Sequence, residues 1–461
     1  MNEAVENNTL LARLRREGRS LFDAVKNANE LFYLVLFTTY VLIYLVLKVC
    51  WDPSVTGLVS NIRYGVLSIV MWGSTIYLFF IIVEWRKLWR NTPALIVIGA
   101  ALLAATYYFS KTMSTNSYGV VMDVFFGLMA YGKNYKKILK CVMWATVAML
   151  IVAYLCLLKG YTYERPKLTG LPGHSLGINY PNSWGYIVFL ALMCGWYSYL
   201  RGKHILNFII FWGVSAFMYL YVLCRTIALL TMAFPVMALF VEWLEKRPRK
   251  DRKGIGVLGW FWTITPLLAL AFVLFVSMNY QWVDAHVPDN EALGTIRYRF
   301  IHNGLYIKGY GIPFVGNAYS SNIHTFVNVN GTLTEPSLLD CSYISYAVMR
   351  GALWLGYTLL WLCIANYKAY RLRDFATILL CEILLVFAMI ERVGLEMWYN
   401  FVLLYPLAAV GLTPRTVEPT VPVDGATEEE PKALPPDAEA VEEPVQEADG
   451  SPAEASEATE E

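Results

Sequence analysis

The sequence predicts an all-α polytopic protein that crosses a membrane about twelve times. Three observations predict it. Apolar runs of about 17 to 22 residues recur almost from end to end, each long enough to cross about 30 Å of hydrocarbon. Charged residues make up 16% of the 461 residues and hydrophobic ones 57%, whereas soluble domains carry about 25% charge. Lys and Arg gather in alternate connections, as they do in cytoplasmic loops.

The first five expected spans are Leu31–Cys50, Tyr64–Glu84, Ala94–Ser110, Ser117–Tyr131 and Ile138–Leu158. Ser117–Tyr131 is short and contains Asp123. Next come Asn182–Leu200, Ile205–Leu223, Thr226–Trp243 and Gly256–Ser277. The last three are Leu339–Ile364, Phe375–Ile390 and Met397–Leu412. The first run is long enough to stay as a span rather than be cleaved as a signal.

With the N-terminus inside, every basic segment falls on the cytoplasmic side: RLRREGR, Trp85–Arg90, Lys133–Lys137, Arg201–His204, Lys246–Lys253 and Tyr367–Arg373. The expected organisation is a basic cytoplasmic segment (1–30), a membrane domain (31–413) and an acidic cytoplasmic tail (414–461). The tail is rich in Glu, Asp, Pro and Ala and is expected to be disordered, because it has too little apolar surface to offset chain entropy. It hides a basic membrane body behind a net charge of +1. The eight cysteines show neither metal-ligand spacing nor a disulfide framework and read as small packing residues.

Two outer loops are substantial: 159–181, and 278–338 between the ninth and tenth spans. Long loops without structure of their own are often functional. The first closes on His174-Ser-Leu-Gly-Ile-Asn-Tyr-Pro-Asn182, where Asn182 is a candidate helix N-cap and His174 a candidate polar contact. The apolar stretch Ile205–Trp243, about 39 residues, is too long for one span and is interrupted only at Cys224-Arg225-Thr226. Arg225 then marks a tight outer turn, either snorkelling to the interface or serving a ligand.

The second loop carries Arg297, Arg299, His302 and Lys308 on the side where basic residues are scarce. Arg299 and His302 share one face if this piece is helical, and Gly309, Gly311 and Gly316 then break it. Guanidinium groups suit bidentate contact with phosphate oxygens. Asp340 and Tyr343 stand one turn apart at the outer start of the tenth span. Asp340 fits three roles: helix cap, partner of an arginine, or base. Taken jointly, His174, Arg225, Arg299, His302 and Asp340 suggest an anionic ligand in an outward pocket, a lipid pyrophosphate being one. Asp123, Glu382 and Arg350 read as structural pairs inside the bundle. Glu391, Arg392 and Glu396 read as rim charges of a short outer turn.

These residues resemble a known group. HSLGINYPNSWGY is similar to the outer-loop signature, roughly small-Gly-aromatic-x-x-Pro-Asn, of bacterial Wzy-type polysaccharide repeat-unit polymerases. LCRTIALL resembles their arginine at the start of a span. IRYRFIHNGLYIKGYGIPFVGN resembles their Arg-containing loop helix and Gly-Ile-x-x-x-Gly turn, and LLDCSYISYAVMRGALW their Asp-x-x-Tyr start of the next span. The resemblance covers residues 30–412. Ile178 stands where an aromatic is common, and the acidic tail has no typical counterpart.

The resemblance implies a GT-C-like fold related to O-antigen ligases and a reaction at the outer leaflet of the bacterial inner membrane. A growing glycan leaves undecaprenyl pyrophosphate for an incoming lipid-linked repeat unit. No nucleotide sugar is needed, and no nucleic acid is expected as a partner. A flippase and a chain-length regulator of the same pathway are the expected protein partners. Arg225 and Arg299, with Arg297 in support, would stabilise charge developing on the departing phosphate. His174, His302 and Asp340 all fit the base that takes the acceptor proton. Asn182 and Tyr343 would line the substrate pocket, and Trp184 and Tyr180 could stack on sugars. No Asp-x-Asp pair stands in an outer loop, so neither a metal nor a cofactor is demanded. The alternatives are an O-antigen-ligase-like transferase, a transporter of lipid-linked sugars, or a receptor whose tail recruits a partner.

Overall fold

The computed structural model of the protein describes residues 28–80, 117–163, 174–178, 180–246, 256–288, 294–314, 326–327, 333–334 and 340–410. The expected third span, most of the Lys246–Lys253 segment, Gly316 and the acidic tail lie outside them.

Among the described residues, six helices are long and apolar enough to cross a membrane. They are α1 (Ala28–Val46), α2 (Pro53–Phe80, apolar over Pro53–Ser74), α4 (Tyr135–Leu158), α6 (His204–Phe217, prolonged by a π turn to Val222), α7 (Arg225–Lys246) and α8 (Val257–Met278). Between and after them run the shorter α3 (Ser117–Met129), α5 (Pro181–Gly195, prolonged by a π turn to Leu200) and α13 (Phe375–Ile390). Large apolar side chains stand exposed on these helices, Ile205 at 79% and Val257 at 89%. Water would penalise such a surface and lipid would not. The protein is an all-α membrane protein.

Helix starts follow local chemistry. Asn134 caps α4 by accepting the Lys137 amide at 3.2 Å, and Asp374 caps α13 through the Thr377 amide at 3.4 Å. The expected cap Asn182 is a correction. Helix α5 begins at Pro181 with Tyr180 in the cap position and no side-chain cap bond. Proline fits a first turn because the amide it lacks would be orphaned there. Helix α2 starts eleven residues before the expected Tyr64, at Pro53.

The long loop between α8 and the next membrane segment holds α9 (Tyr280–His286) and α10 (Gly294–Tyr310), and a two-residue antiparallel ladder, β1 (Phe326–Val327) with β2 (Leu333–Thr334). Helix α10 runs through Gly309 and stops before Gly311, whose φ of +67° suits glycine. The expected tenth span is broken. Helix α11 (Ser342–Ser345) and a π turn to Arg350 end at Gly351 (φ +92°), and α12 (Ala352–Leu372) follows.

The expected last span, Met397–Leu412, is not a span-length helix. Its described part is turns, a 3-10 turn at Phe401–Leu404 and α14 (Tyr405–Ala408). Irregular backbone at membrane depth is tolerated only where protein surrounds it. Accordingly Trp398, Tyr399, Val402, Leu404 and Leu407 are all at or below 1% exposure. Neighbouring segments satisfy the carbonyls: from α12, Trp361 Nε1 donates to Leu403 O and Lys368 Nζ to Pro406 O at 2.5 Å, and from the turn after α3 the Gly132 amide donates to Leu407 O at 3.0 Å.

Contacts sort the connections into two groups. In one, Lys133 reaches Asn29 (2.7 Å), Lys137 pairs with Glu30 (2.8 Å), and Arg201 pairs with Glu245 (2.5 Å) and Asp374 (3.8 Å). In the other, residues 49–52 bridge to Thr162 and Ile178, and the Cys50 amide donates to Gly177 O at 2.9 Å.

Candidate functional site

Helix α13 ends at Ile390, and its last carbonyls form a negative helix terminus. The chain then turns sharply through Glu391–Tyr399. Ser342 pins that turn from α11: its hydroxyl donates to Glu391 O and accepts the Gly394 amide at 2.8 Å. A cation placed here meets both the helix end and the acids of the turn.

Arg299 of α10 is that cation. It donates to Ile390 O and stands 3.5 Å from Glu391 Oε1 and 3.6 Å from Asp340 Oδ2, with its side chain 10% exposed. Asp340 precedes α11 but is not its cap; Cys341 holds that position. The geometry gives Asp340 the part of an arginine partner. Burial raises its carboxyl above the ordinary range against the pull of Arg299 and Arg392. Burial likewise pushes Glu391 up to about 7, although Arg299 draws it down. Lys48 lies close enough to Glu391 to be felt there, with its ammonium 5.9 Å from the Tyr186 ring centre.

A second layer lies behind the first. Arg350 meets Asp123 at 3.4 Å, the Tyr346 hydroxyl at 2.8 Å and Glu396 at 3.9 Å, while Tyr40 donates to Asp123 at 2.9 Å. The expected Asp123–Arg350 pair is therefore formed. Glu382 is not paired with either. It bonds Thr265 and Asn366 instead.

The remaining expected residues separate. Arg297 pairs with Asp284, which ties α10 to α9. His302 packs against Tyr298 with ring centres 3.8 Å apart, and burial holds its imidazole below the ordinary value. His174 stacks on Tyr221 at 4.2 Å, and Arg225, the first residue of α7, lies 6.0 Å from the Tyr219 ring centre. This patch borders an apolar recess lined by Tyr154, Leu176, Trp184, Phe217 and Tyr221. Tyr343, expected to touch substrate, is fully buried and donates to Leu385 O at 3.3 Å, so it packs α11 on α13.

Thus Arg299 and Asp340 share a site, with Arg297 and His302 on the same helix as Arg299, while His174 and Arg225 form a separate patch. The contacts of Arg299 among the described residues run to α13, Glu391 and Asp340, none to that patch. Glu391, Arg392 and Lys48 were not expected in the site. The available signal was an Glu-Arg pair directly after an apolar run, which places charge at a helix end. The chain matches no protein-family model, no curated protein and no solved structure.

Proposed function

We propose that the chain is a membrane glycosyltransferase of the polysaccharide-polymerase kind. It would move a growing glycan from undecaprenyl pyrophosphate to an incoming lipid-linked repeat unit at the outer leaflet of a bacterial inner membrane. The proposal includes about twelve crossings, a GT-C-like arrangement, cytoplasmic termini and a site facing outward. The observation that supports it best is Arg299, held between Glu391 and Asp340 where a helix end and a long loop meet. A guanidinium so held is poised to exchange carboxylate for phosphate oxygens, which match its fork equally well. Charge that builds on the pyrophosphate as the sugar bond breaks would strengthen that contact in the transition state. Neutralising Glu391 by a proton would loosen its hold on Arg299. His174 and Arg225, beside the apolar recess, would meet a second part of the lipid-linked substrates.

The test is reconstitution of purified protein in liposomes with lipid-linked repeat units. A ladder of lengthening products is expected, and Arg299→Lys should lose it while staying folded, since an ammonium cannot serve both oxygens of a forked contact. Full-length product from Arg299→Lys would refute this role. A ligase-like transferase would use the same donor and give a single transfer to a different acceptor.

Transport of lipid-linked sugars is the second reading, and a specific observation favours it. The break at Gly351 and the irregular segment after Glu391 resemble the interrupted helices of transporters. In the same liposomes this reading expects substrate to change leaflet without growing.

A further inference from the structure

Glu382 stands apart from the site above. It is the eighth residue of the apolar helix α13, about 12 Å along it. No ion pair among the described residues includes it. A carboxylate in that position costs several kcal/mol unless something compensates it.

Its surroundings are rich in oxygen for a covalent reason. Pro266 lies inside α8 and has no amide hydrogen, so the Trp262 carbonyl four residues earlier loses its helical donor. That carbonyl accepts instead from Thr265 Oγ1 and from Asn366 Nδ2, each at 2.8 Å. Thr265 Oγ1 also lies 2.5 Å from Glu382 Oε1, although it has one proton to share between two acceptors. Asn366 Nδ2 lies 3.0 Å from Glu382 Oε1 and 3.3 Å from Thr265 Oγ1. Asn366 is fully buried, and its own Oδ1 has no partner.

The geometry points to a sodium site between α8, α12 and α13, built from the Trp262 carbonyl, the Thr265 hydroxyl, the Asn366 amide oxygen and the Glu382 carboxylate. A half-turn of the Asn366 amide puts its unpartnered oxygen where the nitrogen now stands, 2.8, 3.3 and 3.0 Å from the other three oxygens. One carboxylate balances one positive charge, and a divalent ion would leave a surplus charge in hydrocarbon. Carbonyls freed where a transporter helix is interrupted coordinate sodium in a similar way. The site does not depend on the glycan reading, and its test needs no glycan.

The experiment uses the purified full chain in detergent. Unfolding temperature is followed across a sodium chloride series, with choline chloride holding the ionic strength constant. A rise with the logarithm of sodium concentration is expected, with a smaller response to potassium. Thr265→Val should move the half-saturating sodium concentration about tenfold upward, and Glu382→Gln should abolish the response. Binding of radioactive sodium to the unaltered protein, displaced by sodium chloride but not by choline chloride, gives a readout should a variant fail to fold. Equal unfolding temperatures in sodium and choline, together with no displaceable sodium, would overturn the site. So would an undiminished response in both folded variants, or a response to pH alone, which would make Glu382 a proton carrier only.

Discussion

Glu391 is the residue whose charge state sets how firmly Arg299 is held. Its folded pKa is about 7 against an ordinary 4.5, because burial outweighs the attraction of Arg299. Between those values the folded chain keeps a proton that the unfolded chain has lost. Glu391 therefore contributes stability fully below pH 4.5, and that contribution disappears as pH rises through 7. The swing amounts to at most about 3 kcal/mol at 1.36 kcal/mol per unit. Glu391→Gln, which cannot ionise, should flatten the fall in unfolding temperature between pH 5 and pH 7. A variant whose pH profile overlays the wild type would show that another group titrates there. In the sequence Arg299 stood out because cations are scarce in loops expected outside, and Asp340 because it stands at the start of a long apolar run. Glu391 read as a rim charge because a sequence does not say whether a turn folds outward or back over a helix end. Lys48 was hidden at the edge of an apolar run, and the pairing of Arg297 with Asp284 depends on how α9 folds back on α10. Tyr343 misled for the opposite reason: a tyrosine one turn from an acid suggests a pocket, yet burial and the Leu385 carbonyl claim it.

Helix α10 carries Arg299, Arg297 and His302, so the site is only as well placed as this one element. Gly304 seats it: a Cβ there would run into the Ser277 carbonyl at the end of α8 and the Tyr280 ring at the start of α9. Backbone cannot retreat as a flexible side chain can. Gly304→Ala should push α10 outward, cost about 1–3 kcal/mol and reduce product formation far more than it reduces membrane insertion. Activity equal to wild type would show that the position of α10 does not matter to the chemistry. Apolar length marked most helices because a run that must cross lipid has to satisfy its own backbone, and a helix does so within the segment. The same reasoning failed at Met397–Leu412. Apolarity reports burial, and a segment enclosed by other helices can borrow donors from Trp361, Lys368 and Gly132 rather than make its own. The break at Gly351 was equally unmarked, since one glycine in an apolar run is common in membrane helices.

At the scale of the whole molecule the two groups of connections make the orientation a physical question. The group joining Lys133, Lys137, Arg201 and Glu245 contains the described basic loops, and the group joining residues 49–52, 162 and 178 does not. The bias of basic loops toward the cytoplasm would put Arg299 outside. The acidic segment Pro414–Glu461 is expected on the cytoplasmic side from the sequence, so its deletion should leave the product ladder of the proposed reaction largely intact while changing abundance or chain length. Complete loss of the ladder at normal expression would make the tail part of the enzyme. Orientation itself can be read with single thiols. Lys159 and Lys203 are exposed in opposite groups, and six of the eight native cysteines are buried. In a background where Cys141 and Cys156 are serine, a membrane-impermeant maleimide added to intact cells should label Lys159→Cys and spare Lys203→Cys, with the pattern evened out once the membrane is opened. The reverse pattern would place Arg299, Glu391 and Asp340 in the cytoplasm. Nucleotide sugars are made there, so a lipid pyrophosphate would no longer be the donor the site requires, and the glycan-transfer reading would fall while the sodium site between α8, α12 and α13 would stand untouched.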